Sequence, residues 1–187
     1  MSKKNQLRII GGQWRGRKLN IADVSGLRPT GDRIRETLFN WLMPDISDSN
    51  CLDLFSGSGA LGFESLSRGA RSTILIEKNK HAAKQLELHS QTLNAEGAAI
   101  VNQDALLWLA SSTLPKHSIH IAFIDPPFKE GLWHKTINAL DNSELLAAGA
   151  LIYIESPKQE TLNINASWTL LREKISGDVS YRLYRYN

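Results

Sequence analysis

The chain is short of several things, and each shortage removes a class of function. Cys51 is the single cysteine among 187 residues, which excludes a disulfide framework. It opens an apolar run, so it is expected to be a small buried hydrophobe. No apolar run approaches the length that spans a membrane, and Met1 to Gln6 lack the apolar stretch of a signal peptide. A cytoplasmic protein without a membrane partner is expected. His81, His89, His117, His120 and His134 show no metal-ligand spacing, so no metal site is expected. His120 falls in an apolar strand pattern and reads as structural. A P-loop is missing too, since Gly57-Ser58-Gly59 is followed by no Gly-Lys-Ser/Thr, which counts against ATP hydrolysis. There is no internal repeat and no low-complexity linker. The length suits one well-buried domain with a small extension.

Charge is present but unevenly spread. The formal net charge is only +3, yet up to Arg35 nine Lys or Arg face two acids, a local balance of +7. From Glu36 to Thr169 the balance is −6, and from Leu170 to Asn187 it is +2. A basic arm on a mildly acidic body suits an anionic partner, nucleic acid first, although a solvated basic terminus fits the charge equally well. Within the arm, Arg8-Ile9-Ile10 and Arg17-Lys18-Leu19 read as the two sides of a hairpin. Its loop would expose Trp14, Arg15 and Arg17, an aromatic between cations of the kind on which bases stack and phosphates rest. Trp14 folding back onto the body is the alternative. Arg28-Pro29-Thr30-Gly31-Asp32 then leads into a helix carrying Ile34, Leu38 and Leu42 on one side, capped by Thr30 or Asp32 and stopped by Pro44. Arg28, Arg33 and Arg35 crowd its start, where the helix dipole disfavours cations. They are therefore candidates to hold phosphates, or else to pair with surface acids.

From Asn50 strands and helices alternate. Strands fit Cys51–Phe55, Ser72–Glu77, Ala98–Asn102, Ile119–Asp125 and Leu151–Glu155, and helices fit Gly59–Ser67, Lys80–Leu93, Ala105–Leu109 and Leu132–Leu140. That alternation implies an α/β fold with a largely parallel sheet covered on both faces. Trp168–Lys174 and Tyr181–Tyr186, separated by Ser176-Gly177-Asp178, add an antiparallel pair and bring the count to seven strands. The expected division is an extension over residues 1–45 and the sheet domain over residues 46–187.

The stretch Cys51-Leu52-Asp53-Leu54-Phe55-Ser56-Gly57-Ser58-Gly59 ends an apolar strand in an acid and a glycine-rich turn. Such a turn lets a ligand approach the backbone closely, though an ordinary tight strand-to-helix turn looks the same. Asp53, Glu77, Asp104 and Asp125 all stand at or just after strand ends. Glu77 comes about twenty residues after the glycines, the spacing at which a carboxylate takes ribose hydroxyls. Asp104 suits an exocyclic amine such as that of adenine. Together the four favour a bound nucleoside. Asp125-Pro126-Pro127-Phe128 follows the strand Ile119–Ile124 directly. Two prolines give a stiff turn without backbone donors. The Asp125 carboxylate and a proline carbonyl can hold the two hydrogens of a planar amine, while Phe128 stacks on its base.

Asp53-x-Phe55-x-Gly57-Ser58-Gly59 resembles motif I of Rossmann-like class I S-adenosylmethionine methyltransferases, and Asp125-Pro126-Pro127-Phe128 is similar to their amino-methylating motif. With Arg8-Ile9-Ile10-Gly11-Gly12-x-Trp14-Arg15-Gly16-Arg17-Lys18-Leu19 and Arg28-Pro29-Thr30-x-Asp32-Arg33-x-Arg35-Glu36, the chain resembles, nearly end to end, the RsmD family of bacterial rRNA guanine-N2 methyltransferases. The resemblance implies transfer of a methyl group from S-adenosylmethionine to the N2 amine of guanine 966 of 16S rRNA, within the 30S subunit or a late assembly particle, by a monomer. It implies that Asp53, Phe55, Ser56, Gly57, Gly59, Glu77, Lys78, Asp104 and Ala105 surround the cofactor. Asp125, Pro126, Pro127 and Phe128 would hold the reacting base. Arg8, Trp14, Arg15, Arg17, Lys18, Arg28, Arg33 and Arg35 would meet RNA. A DNA amino methyltransferase and a non-catalytic RNA-binding relic are the rival readings; the first would normally carry a target-recognition domain, and the second would have no need of all four strand-end acids.

Overall fold

The computed structural model describes residues 6–21 and 31–187. Thr30 and Arg28 lie outside the described residues, as do Lys3 and Lys4. The chain opens with β1 (Gln6–Arg8) and β2 (Lys18–Asn20), an antiparallel pair in which Leu7 faces Leu19. The expected hairpin is therefore present, with its strands displaced from Arg8–Ile10 and Arg17–Leu19 by one or two residues. Ile9 and Gly16 extend the ladder by Ile9 N–H to Arg17 O at 3.0 Å and Gly16 N–H to Ile9 O at 2.9 Å.

A seven-stranded sheet follows: β3 (Asn50–Asp53), β4 (Ser72–Ile76), β5 (Ala98–Val101), β6 (Ile119–Ile124), β7 (Leu146–Pro157), β8 (Trp168–Ser176) and β9 (Val179–Tyr186). The order across it is β5-β4-β3-β6-β7-β9-β8, parallel from β5 to β7, with β9 antiparallel to both β7 and β8. The chain thus leaves β3 in one direction, then crosses to β6 on its other side. In such sheets the crevice for a ligand opens at the carboxyl ends on either side of that reversal. β7 begins five residues earlier than the sequence pattern implies, and its pairing with β6 shifts between Ile119 and Ile121. A second irregularity lies in β8 between Leu170 and Arg172.

Helices cover both faces. Alternation along β3 sends Cys51 to one side and Leu52 and Leu54 to the other. On the second side α4 (Ala105–Ser111) and α5 (Trp133–Asn142) contribute Trp108, Leu109, Trp133, Ile137 and Leu140 to a core. The sheet answers with Ala122 and Ile124 of β6 and Ile152 and Ile154 of β7, a layer that β-branched residues fill well. On the first side α1 (Asp32–Trp41) lays Ile34, Leu38 and Phe39 against Ile121, Phe123, Leu151, Tyr153 and Leu183. Leu38, Phe39 and Leu42 are fully buried, each worth about 1.5–3 kcal/mol relative to exposure. The division drawn from the sequence at residue 46 does not coincide with a break in this packing, because Ile46 and α1 share one cluster with β3, β6, β7 and β9. Helices α2 (Ala60–Ser67) and α3 (Lys80–Leu93) cover the β3–β5 side, and the hairpin sits over them through Leu7, Ile9 and Leu19.

A buried carboxylate fastens the hairpin. Glu64 of α2 is fully buried and accepts from Ile10 N at 2.9 Å, Gly11 N at 2.8 Å, Arg68 Nε at 2.8 Å and Arg35 Nη1 at 3.4 Å. Arg35 also donates to Asp32 Oδ1 at 2.6 Å and to the Arg8 carbonyl at 2.9 Å. Two expectations change as a result. Arg35 is 1% exposed and ties three segments together, so its guanidinium is not a phosphate-holding surface group. Asp32 does not cap α1: Gly31 holds the N-cap position without a side-chain bond, and Asp32 pairs with Arg35 instead. Gly12 completes the dock. At φ 73° a Cβ there would lie 1.7 Å from the Ser67 carbonyl oxygen, so only glycine lets the loop close on the end of α2.

Candidate functional site

The carboxyl ends of β3, β4, β5 and β6 bring most of the expected site residues to one edge of the sheet. After β3 the chain turns through Gly57 at φ 50° and Gly59 at φ 80°, both in the left-handed region. Gly59 is the N-cap of α2, and a Cβ on it would lie 2.5 Å from the Phe63 ring. Ser56 is buried, its hydroxyl donating to the Asp53 carbonyl at 3.0 Å, and Phe55 is half-buried against the α4–α5 core. Asp53 itself is 2% exposed. Its carboxyl accepts from Gly62 N at 3.2 Å, so it faces the first turn of α2 rather than open solvent. Burial pushes its pKa up to about 7 against the pull of the Gly62 bond.

Glu77 stands just past β4 and spans two loops. Oε2 accepts from Gly57 N at 2.8 Å and Oε1 from Asn79 N at 2.7 Å. Asn102, past β5, holds the Glu77 carbonyl through Nδ2 at 2.8 Å. Each carboxylate oxygen keeps a further lone pair for a hydroxyl. Asp104 caps α4, its Oδ1 accepting from Leu106 N at 2.9 Å and Leu107 N at 3.2 Å, while Oδ2 takes part in neither bond. Ala105 is buried in the core beneath it. Lys78 pairs with Glu130, beyond the proline turn, with Nζ at 2.6 Å from Oε1.

Asp125 is half-buried at the end of β6 and Pro126 is buried behind it. Pro127 has φ −54° and ψ 122° and leads into a 3-10 turn over Phe128–Glu130. Phe128 is 40% exposed, and its ring leans on Trp133 with centroids 5.7 Å apart at 58°. Trp133 in turn donates its indole N–H to the Glu155 carbonyl at 2.7 Å. One strand over, the Tyr153 hydroxyl donates to Glu155 Oε2 at 2.9 Å. The Tyr153 phenol is held well above its ordinary pKa, by burial first and then by the Glu155 and Asp125 carboxylates.

The basic arm is only partly a free surface. Arg8, Arg15, Arg17, Lys18 and Arg33 are exposed. Arg17 also donates to the Thr92 carbonyl at 2.9 Å, at the end of α3. Trp14 follows the alternative reading: its ring packs partly buried against the α2–α3 cluster, and its backbone N–H donates to Ser67 Oγ at 3.0 Å. His120 Nδ1 accepts from Asn50 N at 3.1 Å, a structural bond. Sequence reasoning missed Glu64, Trp133, Tyr153 and Glu155. Glu155 had a signal, because Leu151–Glu155 is an apolar run ending in an acid like those of β3, β4 and β6.

Comparison with known proteins agrees with this fold. The profile of a family described as conserved hypothetical protein 95 matches residues 7–185. The chain is 52% identical over 185 residues to ribosomal RNA small subunit methyltransferase D of Escherichia coli (strain K12), covering 98% of this chain and 92% of that protein. It is 48% identical to the protein of the same name from Haemophilus influenzae, over 97% of this chain and 95% of that one. Among solved structures, a putative methyltransferase yhhF from Escherichia coli superposes with a TM-score of 0.89 at 49% identity, over 97% of this chain and 98% of that one.

Proposed function

From the premise that the chain belongs to the RsmD family of methyltransferases, we propose that it methylates the exocyclic N2 amine of guanine 966 in 16S rRNA. The substrate is the small ribosomal subunit or a late assembly particle, and the enzyme works as a cytoplasmic monomer. S-adenosylmethionine, when bound, supplies a methyl group made electrophilic by the adjacent sulfonium. The donor set fits that cofactor: the Gly57–Gly59 turn for the methionine part, Glu77 for the ribose hydroxyls and Asp104 for the adenine amine.

The observation that carries the reading is the stiff turn Asp125-Pro126-Pro127-Phe128, which meets the crevice at the end of β6 with acceptors and an aromatic face. A guanine amine is a poor nucleophile because its lone pair is delocalised into the ring. Asp125 and the Pro126 carbonyl accept its two hydrogens and orient the nitrogen. They also favour the positive charge that grows there during reaction. Phe128, backed by Trp133, stacks on the base and fixes its plane. Asp125 is not required to remove a proton beforehand, since the amine is too weakly acidic. The target base must leave its stack or lie in an open loop to reach this turn.

Mass spectrometry of 16S rRNA from a strain lacking the gene tests the reading. N2-methylguanine at position 966 is expected to disappear, to return with the intact chain, and to stay absent with Asp125→Ala. Restoration by Asp125→Ala would remove the proline turn from the chemistry, and unchanged rRNA in the deletion would remove the substrate.

A further inference from the structure

The docked hairpin leaves a recess at the end of the sheet opposite the crevice. It measures about 230 Å³ and lies where the hairpin loop meets the ends of α2 and α3 and the turns that lead into β4 and β5. β4 is five residues long, so the recess is one strand length, on the order of 15 Å, from the carboxyl-end site. Trp14, Leu66 and Ala95 give it apolar surface, and Arg71, Asn94 and Glu96 also line it. Sites for drug-sized molecules begin at roughly 300 Å³. A recess below that size suits a single planar ring system rather than an extended ligand.

Trp14 is half-buried. The indole N–H of Trp133 donates to the Glu155 carbonyl and that of Trp168 to Asp141 Oδ1, as buried indoles usually do. The Trp14 indole N–H bonds to none of the described residues and is not buried, so it can serve a ligand. Charge divides the rim from the interior. Arg17 donates to the Thr92 carbonyl at 2.9 Å, which holds its guanidinium beside the recess, two residues before Asn94. Arg15 adjoins Trp14 in the loop, and Lys18 adjoins Arg17; both are exposed. Within the recess Arg71 is paired with Asp48 through Nε at 2.7 Å, and Glu96 adds an acid. An anion is therefore favoured at the rim and disfavoured inside, where a neutral ring with a polar edge fits. An unpaired nucleotide has that division, with a charged backbone and a flat neutral base that stacks on an indole.

Resting on the rRNA reading above, we propose that this recess is a second RNA site. It takes one unpaired base of the ribosomal RNA against Trp14, while Arg15 and Arg17 hold the flanking phosphates. The site anchors the particle at the far end of the sheet from the chemistry.

The test measures binding of the full chain to small ribosomal subunits from a strain lacking the gene. Ultraviolet cross-linking of the same complex is read by mass spectrometry on the tryptic peptide Ile9–Arg15, which carries Trp14. The peptide is expected to cross-link to a nucleotide. Trp14→Ala is expected to weaken binding about 5- to 100-fold, and Trp14→Phe, which keeps a ring, to stay within about 5-fold of the native chain. Hydrogen exchange at the Ile10 and Gly11 amides, which bond Glu64, reports whether the hairpin stays docked in each variant. If Trp14→Ala releases it, Asn94→Gly decides: glycine adopts the φ of 51° at the end of α3 freely, and loss of the carboxamide is expected to weaken binding about 2- to 10-fold. Native affinity in a variant with a docked hairpin overturns the site. A peptide cross-linked to a ribosomal protein instead of a nucleotide overturns it in favour of a protein contact. An intact chain that binds no particle overturns the rRNA reading itself, and that result is read without any variant.

Discussion

Asp53 offers a stability test with a defined sign. Its carboxyl is 2% exposed, and burial raises its pKa from 3.8 to about 7. Below about pH 4 the folded and unfolded chains both carry the proton, and stability is complete. Between about pH 4 and 7 the unfolded chain releases the proton while the folded chain retains it, so stability falls as pH rises. Above about 7 both are ionised and the loss is complete. A difference of about three pH units, at 1.36 kcal/mol each, is about 4 kcal/mol. Asp53→Asn cannot ionise, and its carbonyl oxygen can still accept from Gly62 N. The assay is urea unfolding by tryptophan fluorescence from about pH 4.5 to 8, on both proteins. Other groups titrate alike in the two, so the difference between the curves isolates Asp53. The variant is expected to gain on the native protein as pH rises, by up to about 4 kcal/mol at about pH 8. Parallel curves would refute the buried, proton-retaining carboxyl.

Glu64→Ala leaves Arg35 buried without one of its carboxylates and frees two backbone donors, so a loss of about 3–5 kcal/mol is expected; hydrogen exchange should show the hairpin amides of Ile10 and Gly11 losing protection first. Arg15 and Lys18 are exposed on the hairpin, so replacing both with Ala is expected to weaken particle binding and make its salt dependence shallower by about 1 to 2 in log–log slope. Cofactor calorimetry on that double variant should be unchanged, and a loss there would make the hairpin part of the pocket.

The parallel part of the sheet is readable from the sequence because β3, β4, β5, β6 and the second half of β7 carry apolar runs that mostly end in an acid or a turn. The carboxyl-end residues Gly57, Glu77, Asp104 and Asp125 are readable for the same reason. What stays hidden depends on contacts distant in sequence. Nothing local marks Arg35 as buried, since its partners Glu64 and the Arg8 carbonyl come from α2 and the hairpin. The amino half of β7 is hidden by Ala147-Ala148-Gly149-Ala150, small residues with weak strand preference, and Gly149 there has φ 78°. Trp14 reads as an RNA contact because of its cationic neighbours, and only the docking of the hairpin on α2 turns its ring inward.

The irregular pairing inside β8 bears on how copies of the protein treat one another. An edge strand exposes unpaired backbone groups that can template a further strand. β8 forms one edge of the sheet, and its ladder is broken between Leu170 and Arg172 before Arg172, Glu173 and Lys174 crowd the rim with charge. β5, at the opposite edge, is four residues long. Neither rim offers a long, flat, uncharged ladder, so in a crowded cell the sheet resists growing from one molecule into the next.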